Sequence, residues 1–390
     1  MKHVVFFTAP GMDFSPATLS AVPVVIRGLA LAAQRDGLDV TVVSSYSANP
    51  LFSDIKTIPV NFTPAPKAGL SLLCRRIERK ILQYQRILHR RWVAESIAAL
   101  SKACPPGGTI VFPAELEFDF AIAAGLPDRQ IIVLFHDCNF SCKSRFLTKI
   151  QKSHLIFCGV SRFCSEGAEK YFGLAQNSVH TVYNAVDHSL FTPKAGGQST
   201  IPTITFHGRG VREKGIDILL AAALKLAQAG MRFNLQIAGA NRGLELDLSD
   251  PYQQELTVII EHLAKAGISV RRHGNVPFVE IPDYLRRADI HVCPYRWDEP
   301  FGMATLEGMA CGLATVASNT GGTPEVVGDA GLLFDRENVN QLAAHLELLI
   351  SKPDLRADLG HRASERSKLF TWDHSWRALR AITEDISPKH

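Results

Sequence analysis

Asp298-Glu-Pro-Phe-Gly-Met-Ala-Thr-Leu-Glu-Gly-Met-Ala-Cys-Gly312 places two carboxylates, Glu299 and Glu307, eight positions apart, with Pro300 and Gly302 between them. Proline is tolerated in the first turn of a helix, so the helix is expected to begin near Phe301. Glu299 then lies on the loop before it and Glu307 on its second turn. The first backbone N–H groups of a helix have no partner inside it, and the helix dipole makes that end electropositive. An anion seated there would have a carboxylate on either side. That suits a phosphorylated sugar, with amides for the phosphate and carboxylates for hydroxyls. An ordinary surface helix with a Glu at each end reads the same in isolation, so the neighbouring segments decide.

Upstream, Thr203-Ile-Thr-Phe-His-Gly-Arg-Gly-Val-Arg-Glu-Lys-Gly-Ile-Asp-Ile-Leu-Leu220 begins as a β-branched run and breaks at Gly208-Arg209-Gly210. After Lys214-Gly215 it resumes as an apolar-periodic helix with Asp217 in its first turn. Two cations on a strand-to-helix loop are what a pyrophosphate needs in order to be held and then to depart. Each neutralises one of the charges that grow as a C–O bond to phosphate breaks. Arg209 can grip two oxygens with its planar fork, whereas Lys214 is a movable point charge. Arg212 and Glu213 read as solvated loop residues. Downstream, Ala314-Thr-Val-Ala-Ser318 reads as a short buried strand and Asn319-Thr-Gly-Gly-Thr-Pro-Glu325 as a helix start. Thr323 is the expected N-cap, with Pro324 at the first helical position and Glu325 just inside. Gly321-Gly322 would let the backbone approach a ligand closely.

Together with Tyr183-Asn-Ala-Val-Asp187, these segments resemble the retaining glycosyltransferases of family 4, which act on nucleotide sugars. The four motifs stand in that family's order and roughly its spacing, most strongly over 182–334. The resemblance implies an α/β fold of two Rossmann-like domains with parallel sheets facing across a cleft, the GT-B fold. An acceptor-side domain is expected over 1–195 and a nucleotide-sugar-binding domain over 196–365, with a last helix over 366–390 crossing back to the first. It further implies retaining, metal-independent transfer of a hexosyl group from a UDP- or GDP-linked donor, with no separate cofactor. The acceptor would be the hydroxyl of a saccharide or lipid-linked saccharide, in bacterial polysaccharide or glycolipid assembly.

By the same resemblance Arg209 and Lys214 bind the donor diphosphate, Glu307 the nucleotide ribose and Glu299 hydroxyls of the transferred sugar. The amides near Phe301, Gly302 and Met303 complete the cradle. His136, in Leu134-Phe-His-Asp137, ends an expected strand where the family carries a His-containing loop against the donor sugar, and is expected to be an active-site group. One departure stands in the loop after the first strand. There the family is glycine-rich, but Ala9-Pro-Gly-Met-Asp-Phe-Ser-Pro-Ala-Thr-Leu-Ser20 has a single glycine, Gly11, left to admit the donor. Asp13 reads equally as an acceptor contact or a turn residue. Two rival functions share these features: a nucleotide-sugar epimerase on the same fold, and a non-catalytic subunit of a partner transferase. The intact cation pair and both carboxylates weigh against the second.

At 390 residues the chain can bury two sizeable cores. Strand candidates at 4–7, 40–44, 109–112, 131–135, 155–158 and 179–182 alternate with helical patterns such as 22–34. A second set follows at 204–206, 234–238, 270–273, 290–293 and 315–317. Such alternation argues for parallel sheets covered on both faces. Ligands of open α/β sheets sit beyond the carboxyl ends of the strands, where the motifs above all fall. The polar stretch 193–200 reads as the interdomain linker.

Net charge is +4, yet residues 67–102 hold nine Lys/Arg against two Glu. Within that stretch Leu70, Leu73, Ile77, Ile81, Tyr84, Leu88 and Trp92 keep helical spacing. A basic amphipathic helix over 70–99 has two readings: one lying on an anionic membrane surface, or one facing the core with a solvated charged side. No nucleic-acid module accompanies the cations. The N-terminal run is too briefly apolar for a signal peptide, no run approaches the roughly 20 residues of a membrane span, and a cytoplasmic setting is expected, at or near the inner membrane face. The eight cysteines are scattered, as free thiols of a reducing compartment would be, and His136, Cys138 and Cys142 lack finger-like spacing for zinc.

Overall fold

The computed structural model describes residues 2–8, 12–18, 20–45, 49–60, 91–114, 116–138, 155–194, 199–240 and 249–386. The chain divides into two compact units, one of residues 1–159, 168–180 and 376–390, the other of residues 160–167 and 181–375.

The first unit is built on strands His3–Phe7 (β1), Asp39–Ser45 (β2), Thr57–Val60 (β3), Thr109–Phe112 (β4), Gln130–Phe135 (β5), Ile156–Gly159 (β6) and His180–Thr181 (β7). Their order is β3-β2-β1-β4-β5-β6-β7, and the pairs from β3 to β6 are parallel. The second unit holds Thr203–His207 (β8), Asn234–Ala238 (β9), Ser269–His273 (β10), Ile290–Cys293 (β11), Ala314–Ser318 (β12) and Leu332–Phe334 (β13). These run β10-β9-β8-β11-β12-β13, all parallel. Within each sheet the order is that of a dinucleotide-binding fold. Lateral progression reverses between β1 and β4, and again between β8 and β11, and each reversal leaves a crevice at the carboxyl ends of those strands.

Strands β4, β6, β11 and β12 are buried along their whole length, as expected where helices cover both faces. In the second unit Leu219, Leu220 and Leu226 of helix Ile216–Gln228 pack with Phe206, Leu235, Val292 and Leu346. Two strands were not visible in the sequence. Thr57–Val60 and Leu332–Phe334 are both sheet edges. The first contains Pro59, which an edge tolerates because one side of it needs no N–H, and the second has only three residues.

Residues 91–103 are helical and bury Trp92, whose ring lies 5.6 Å from that of Phe7. The end of the basic segment therefore faces the core. Residues 61–90 lie outside the described residues, and with them the membrane reading of 70–99. In helix Trp372–Ile386, Trp376 is buried and its indole N–H donates to Asp36 at 2.8 Å, while Arg380 reaches the same oxygen at 2.6 Å. Among the described residues no helix is long and apolar enough to cross a membrane.

The cysteine expectation needs correction. Cys104, Cys158, Cys293 and Cys311 are buried free thiols, but Cys138 and Cys164 are disulfide-bonded. Scatter along the chain says nothing about proximity once strands from distant segments are aligned. Cys74 and Cys142 lie outside the described residues.

Candidate functional site

β8 and β11 deliver their following loops to one place at the switch point of the second sheet. After β8 the chain passes so close to the loop after β9 that a Cβ on Gly239 would lie 1.7 Å from the Gly208 carbonyl oxygen. A short 3-10 turn, Arg212–Lys214, then ends at Gly215 in the left-handed region, and helix Ile216–Gln228 follows. Arg209 is exposed and has no ion-pair partner among the described residues. Lys214 is largely buried and donates to Glu299 Oε2 at 2.6 Å, its ammonium about equally far from the rings of Tyr295 and Trp297, at 5.0 and 4.9 Å. The Trp297 indole N–H donates to the same oxygen at 2.7 Å. Arg212 pairs instead with Glu255 and lies over Tyr252, on the surface, as expected of a loop cation. Arg296, next to Trp297, is held by Asp217 through two bonds of 3.0 and 2.8 Å.

The helix between the two carboxylates is Met303–Ala310, starting two residues later than expected. Gly302 precedes it at φ 97°, a left-handed conformation that cannot join a right-handed helix, and it offers no side-chain cap. The first-turn amides therefore have no side-chain cap. Phe301 stands just before Gly302. Its ring is buried with Tyr183 and Phe370, at centroid distances of 6.3 and 5.7 Å. Glu307 lies on the second turn, as expected, and its Oε2 is 2.7 Å from His207 Nε2. His207 Nδ1 is in turn 3.1 Å from His291 Nε2. Neither histidine was singled out in the sequence. The signal was there: an imidazole inside the otherwise apolar run Ile290–Cys293 needs a partner.

The paired glycines lie against the backbone of the loop before this helix. A Cβ on Gly321 would lie 2.2 Å from the Glu299 carbonyl, and one on Gly322 would lie 2.4 Å from that of Pro300. Gly322 N–H also donates to the Glu299 carbonyl at 2.8 Å. They admit the backbone that carries Glu299. The helix that follows is Thr323–Val327, with Gly322 rather than Thr323 as its N-cap. Glu325 does not serve its own helix: its carboxylate accepts from the Arg162 and Phe163 amides, both at 2.9 Å, at the start of helix Arg162–Phe172. The Tyr183 hydroxyl, pushed up to about 12 by burial and by this carboxylate, donates to it as well. Ser161 caps the same helix by accepting from Cys164 N–H at 3.1 Å. Glu325→Ala removes three charge-assisted bonds and is expected to lower the unfolding free energy by about 2–3 kcal/mol in urea titration. A loss under 0.5 kcal/mol would show that water replaces the carboxylate without cost.

His136 belongs to the first unit and directly follows β5. Its Nε2 is buried without a hydrogen-bond partner among the described residues, and burial pushes the ring down to about 4. Gly11 lies outside the described residues. Asp13 accepts from Asn49 at 2.8 Å. The His136 shift sets a pH dependence. Unfolded histidine titrates near 6.5, so at higher pH the ring is neutral in both states and its contribution is fully present. As pH falls from about 6.5 to about 4 the unfolded chain gains a proton the folded one refuses, and stability is lost. His136→Asn should remove that component, so the stability gap between wild type and variant should change between pH 7.5 and 4.5. Parallel curves would mean that the folded ring protonates freely.

Residues 191–366 match the model of a family described as glycosyl transferases, group 1. The chain is 28% identical over 252 residues to an uncharacterised glycosyltransferase of Methanocaldococcus jannaschii, covering 63% of this chain and 64% of that one. It is 30% identical over 255 residues to the alpha-maltose-1-phosphate synthase of Mycolicibacterium smegmatis (58% and 62% covered). Against the D-inositol 3-phosphate glycosyltransferase of Thermobifida fusca it is 30% identical over 227 residues (55% and 51% covered). The chain thus spans between half and two thirds of the length of these curated relatives. Among solved structures, a glycosyltransferase of Rickettsia africae superposes over the whole of both chains with a TM-score of 0.76 at 17% identity. Anabaena HepE in complex with UDP-glucose does so with a TM-score of 0.72 at 17% identity, over 98% of this chain and 100% of that one. At such identity the likeness establishes the fold, two parallel-sheet α/β domains of the GT-B class.

Proposed function

We propose, from the match of residues 191–366 to the group 1 glycosyl transferases, that this chain moves a sugar from a nucleoside diphosphate donor to an acceptor hydroxyl with retention of configuration. The observation that carries this is the convergence at the ends of β8 and β11. A shielded lysine pairs there with Glu299, an uncapped helix end lies beyond it, and Glu307 stands one turn further. When a diphosphate arrives, Lys214 exchanges the Glu299 oxygen for a phosphate oxygen. Trp297 keeps hold of Glu299, whose freed valence accepts from a sugar hydroxyl. Arg209 and the amides of the helix start share the remaining phosphate charge.

The glycosidic C–O bond then breaks with its electron pair passing to the β-phosphate. The acceptor oxygen bonds to the same face of the anomeric carbon, and its proton goes to the departing phosphate. Two protein cations perform the neutralisation otherwise left to Mg²⁺, which makes the reaction metal-independent. The HepE complex makes UDP-sugars the first donors to test. The acceptor is a saccharide or lipid-linked saccharide, and polysaccharide or glycolipid assembly on the cytoplasmic side of the membrane is the setting.

Thermal denaturation with UDP-, GDP- and ADP-sugars tests this, because a ligand bound only by the native state raises its melting temperature. One nucleotide series should stabilise the chain, and with a saccharide acceptor its sugar should be transferred at the same rate with and without EDTA. Indifference to every nucleotide sugar would overturn the reading, and EDTA inhibition its metal-free part.

A further inference from the structure

Two histidines stand where buried parallel strands ordinarily carry apolar side chains. His207 is the last residue of β8, and His291 sits in β11 between Ile290 and Val292. Their exposures are 5% and 0%. β8 and β11 are adjacent, with His291 opposite Thr205, and the two rings lie 5.0 Å apart. The contacts form a line: Glu307 Oε2 to His207 Nε2 at 2.7 Å, His207 Nδ1 to His291 Nε2 at 3.1 Å, and His291 Nδ1 to Cys293 Sγ at 3.7 Å. Gly308, next after Glu307, would place a Cβ 2.0 Å from His291 Nδ1. The helix therefore rests directly on that ring, and glycine admits the approach.

Burying two imidazoles and a carboxylate costs free energy that well-packed apolar residues would not. The cluster is not laid out for a metal, because both nitrogens of His207 point at protein partners. Burial, with His207 beside it, holds His291 well below the usual imidazole range and hence uncharged. With its proton on Nε2, His291 donates to His207 Nδ1, which leaves His207 its Nε2–H for the carboxylate. A carboxylate only accepts, so His207 donates. Glu307 Oε1 is left without a partner among the described residues.

We propose that His207, backed by His291, is a positioning residue that locks one oxygen of Glu307, so that the other is presented to the ribose hydroxyls of the donor nucleotide. The relay is then what distinguishes a ribonucleotide from a deoxyribonucleotide. This rests on the reading above, in which Glu307 faces the nucleotide ribose.

His207→Asn and His207→Gln separate the two bonds, because an Asn amide reproduces the position of Nδ1 and a Gln amide that of Nε2. UDP, 2′-deoxy-UDP and 3′-deoxy-UDP are titrated calorimetrically into each full-length protein, with GDP counterparts in parallel. Wild type should favour the ribonucleotide by about tenfold or more. His207→Gln should retain most of that preference. His207→Asn should lose it through weaker ribonucleotide binding, with deoxynucleotide binding little changed, and KM for the donor should rise more than kcat falls. Equal preference in the two folded variants, or no preference in wild type, would overturn the relay while leaving the donor reading intact. Failure of wild type to bind any of these nucleotides would instead remove the donor reading, and the relay with it.

Discussion

Lys214→Ala is expected to slow sugar transfer by about 10²–10³-fold at saturating donor, the usual loss when a preorganised group facing developing negative charge is removed. The position is demanding because Lys214 has two tasks. In the free protein it neutralises Glu299, with both side chains about seven-eighths shielded from water. During transfer it follows the charge onto the leaving diphosphate. The alanine variant leaves Glu299 shielded with only the Trp297 N–H, so a stability loss of about 1–3 kcal/mol should accompany the kinetic one. Arg209→Ala makes the matching comparison. That side chain is exposed and has no ion-pair partner among the described residues, so its loss should cost kinetics but under about 0.5 kcal/mol of stability. Single-turnover assays and urea titration of both variants decide the matter. A Lys214→Ala protein working within threefold of wild type would show that the pair is structural.

The second large effect is expected at Gly215. Gly215→Ala should destabilise the protein by at least about 3 kcal/mol, whereas Gly267→Ala should cost about 1–2. Both glycines sit in the left-handed region, at φ 71° and 79°, so the dihedral penalty is common to both. The space around them differs. A Cβ on Gly215 would stand 1.8 Å from the Pro294 carbonyl oxygen, but on Gly267 the nearest atom is 3.6 Å away, at the end of the Arg232 side chain. Pro294 leads into Tyr295 and Trp297, so relieving that overlap moves Lys214 away from Glu299. Activity per folded molecule should therefore fall in Gly215→Ala and not in Gly267→Ala. Equal melting temperatures for the two variants would deny the close approach of these loops.

Much of the second unit was legible from its chain. Its strands β8, β9 and β11 are short runs ended by glycine or proline, and Glu299 and Glu307 fall before and within a helix as their spacing requires. The errors were of one kind. The helix start, expected near Phe301, falls at Met303 because the left-handed turn at Gly302 has no local signature beyond glycine itself. Glu325 was assigned to its own helix, whereas its carboxylate serves the amides of Arg162 and Phe163, more than 160 positions earlier. The paired glycines accommodate the Glu299–Pro300 backbone, a contact across the fold that Gly-Gly by itself does not announce. Trp297 holds Glu299 by a hydrogen bond and lies beside the Lys214 ammonium, contacts that no spacing announces.

Residue order alone determined most of the elements, the sheet class and which side chains carry charge, because each depends on spacing along a few turns or one strand. Whether those charges meet was decided elsewhere. Lys214 and Glu299 are 85 positions apart, His207 and Glu307 are 100 apart, and both pairs are joined only because β8 lies beside β11 in the sheet. Strand order reflects how whole layers bury their apolar faces, and that competition has no expression in any short stretch of chain.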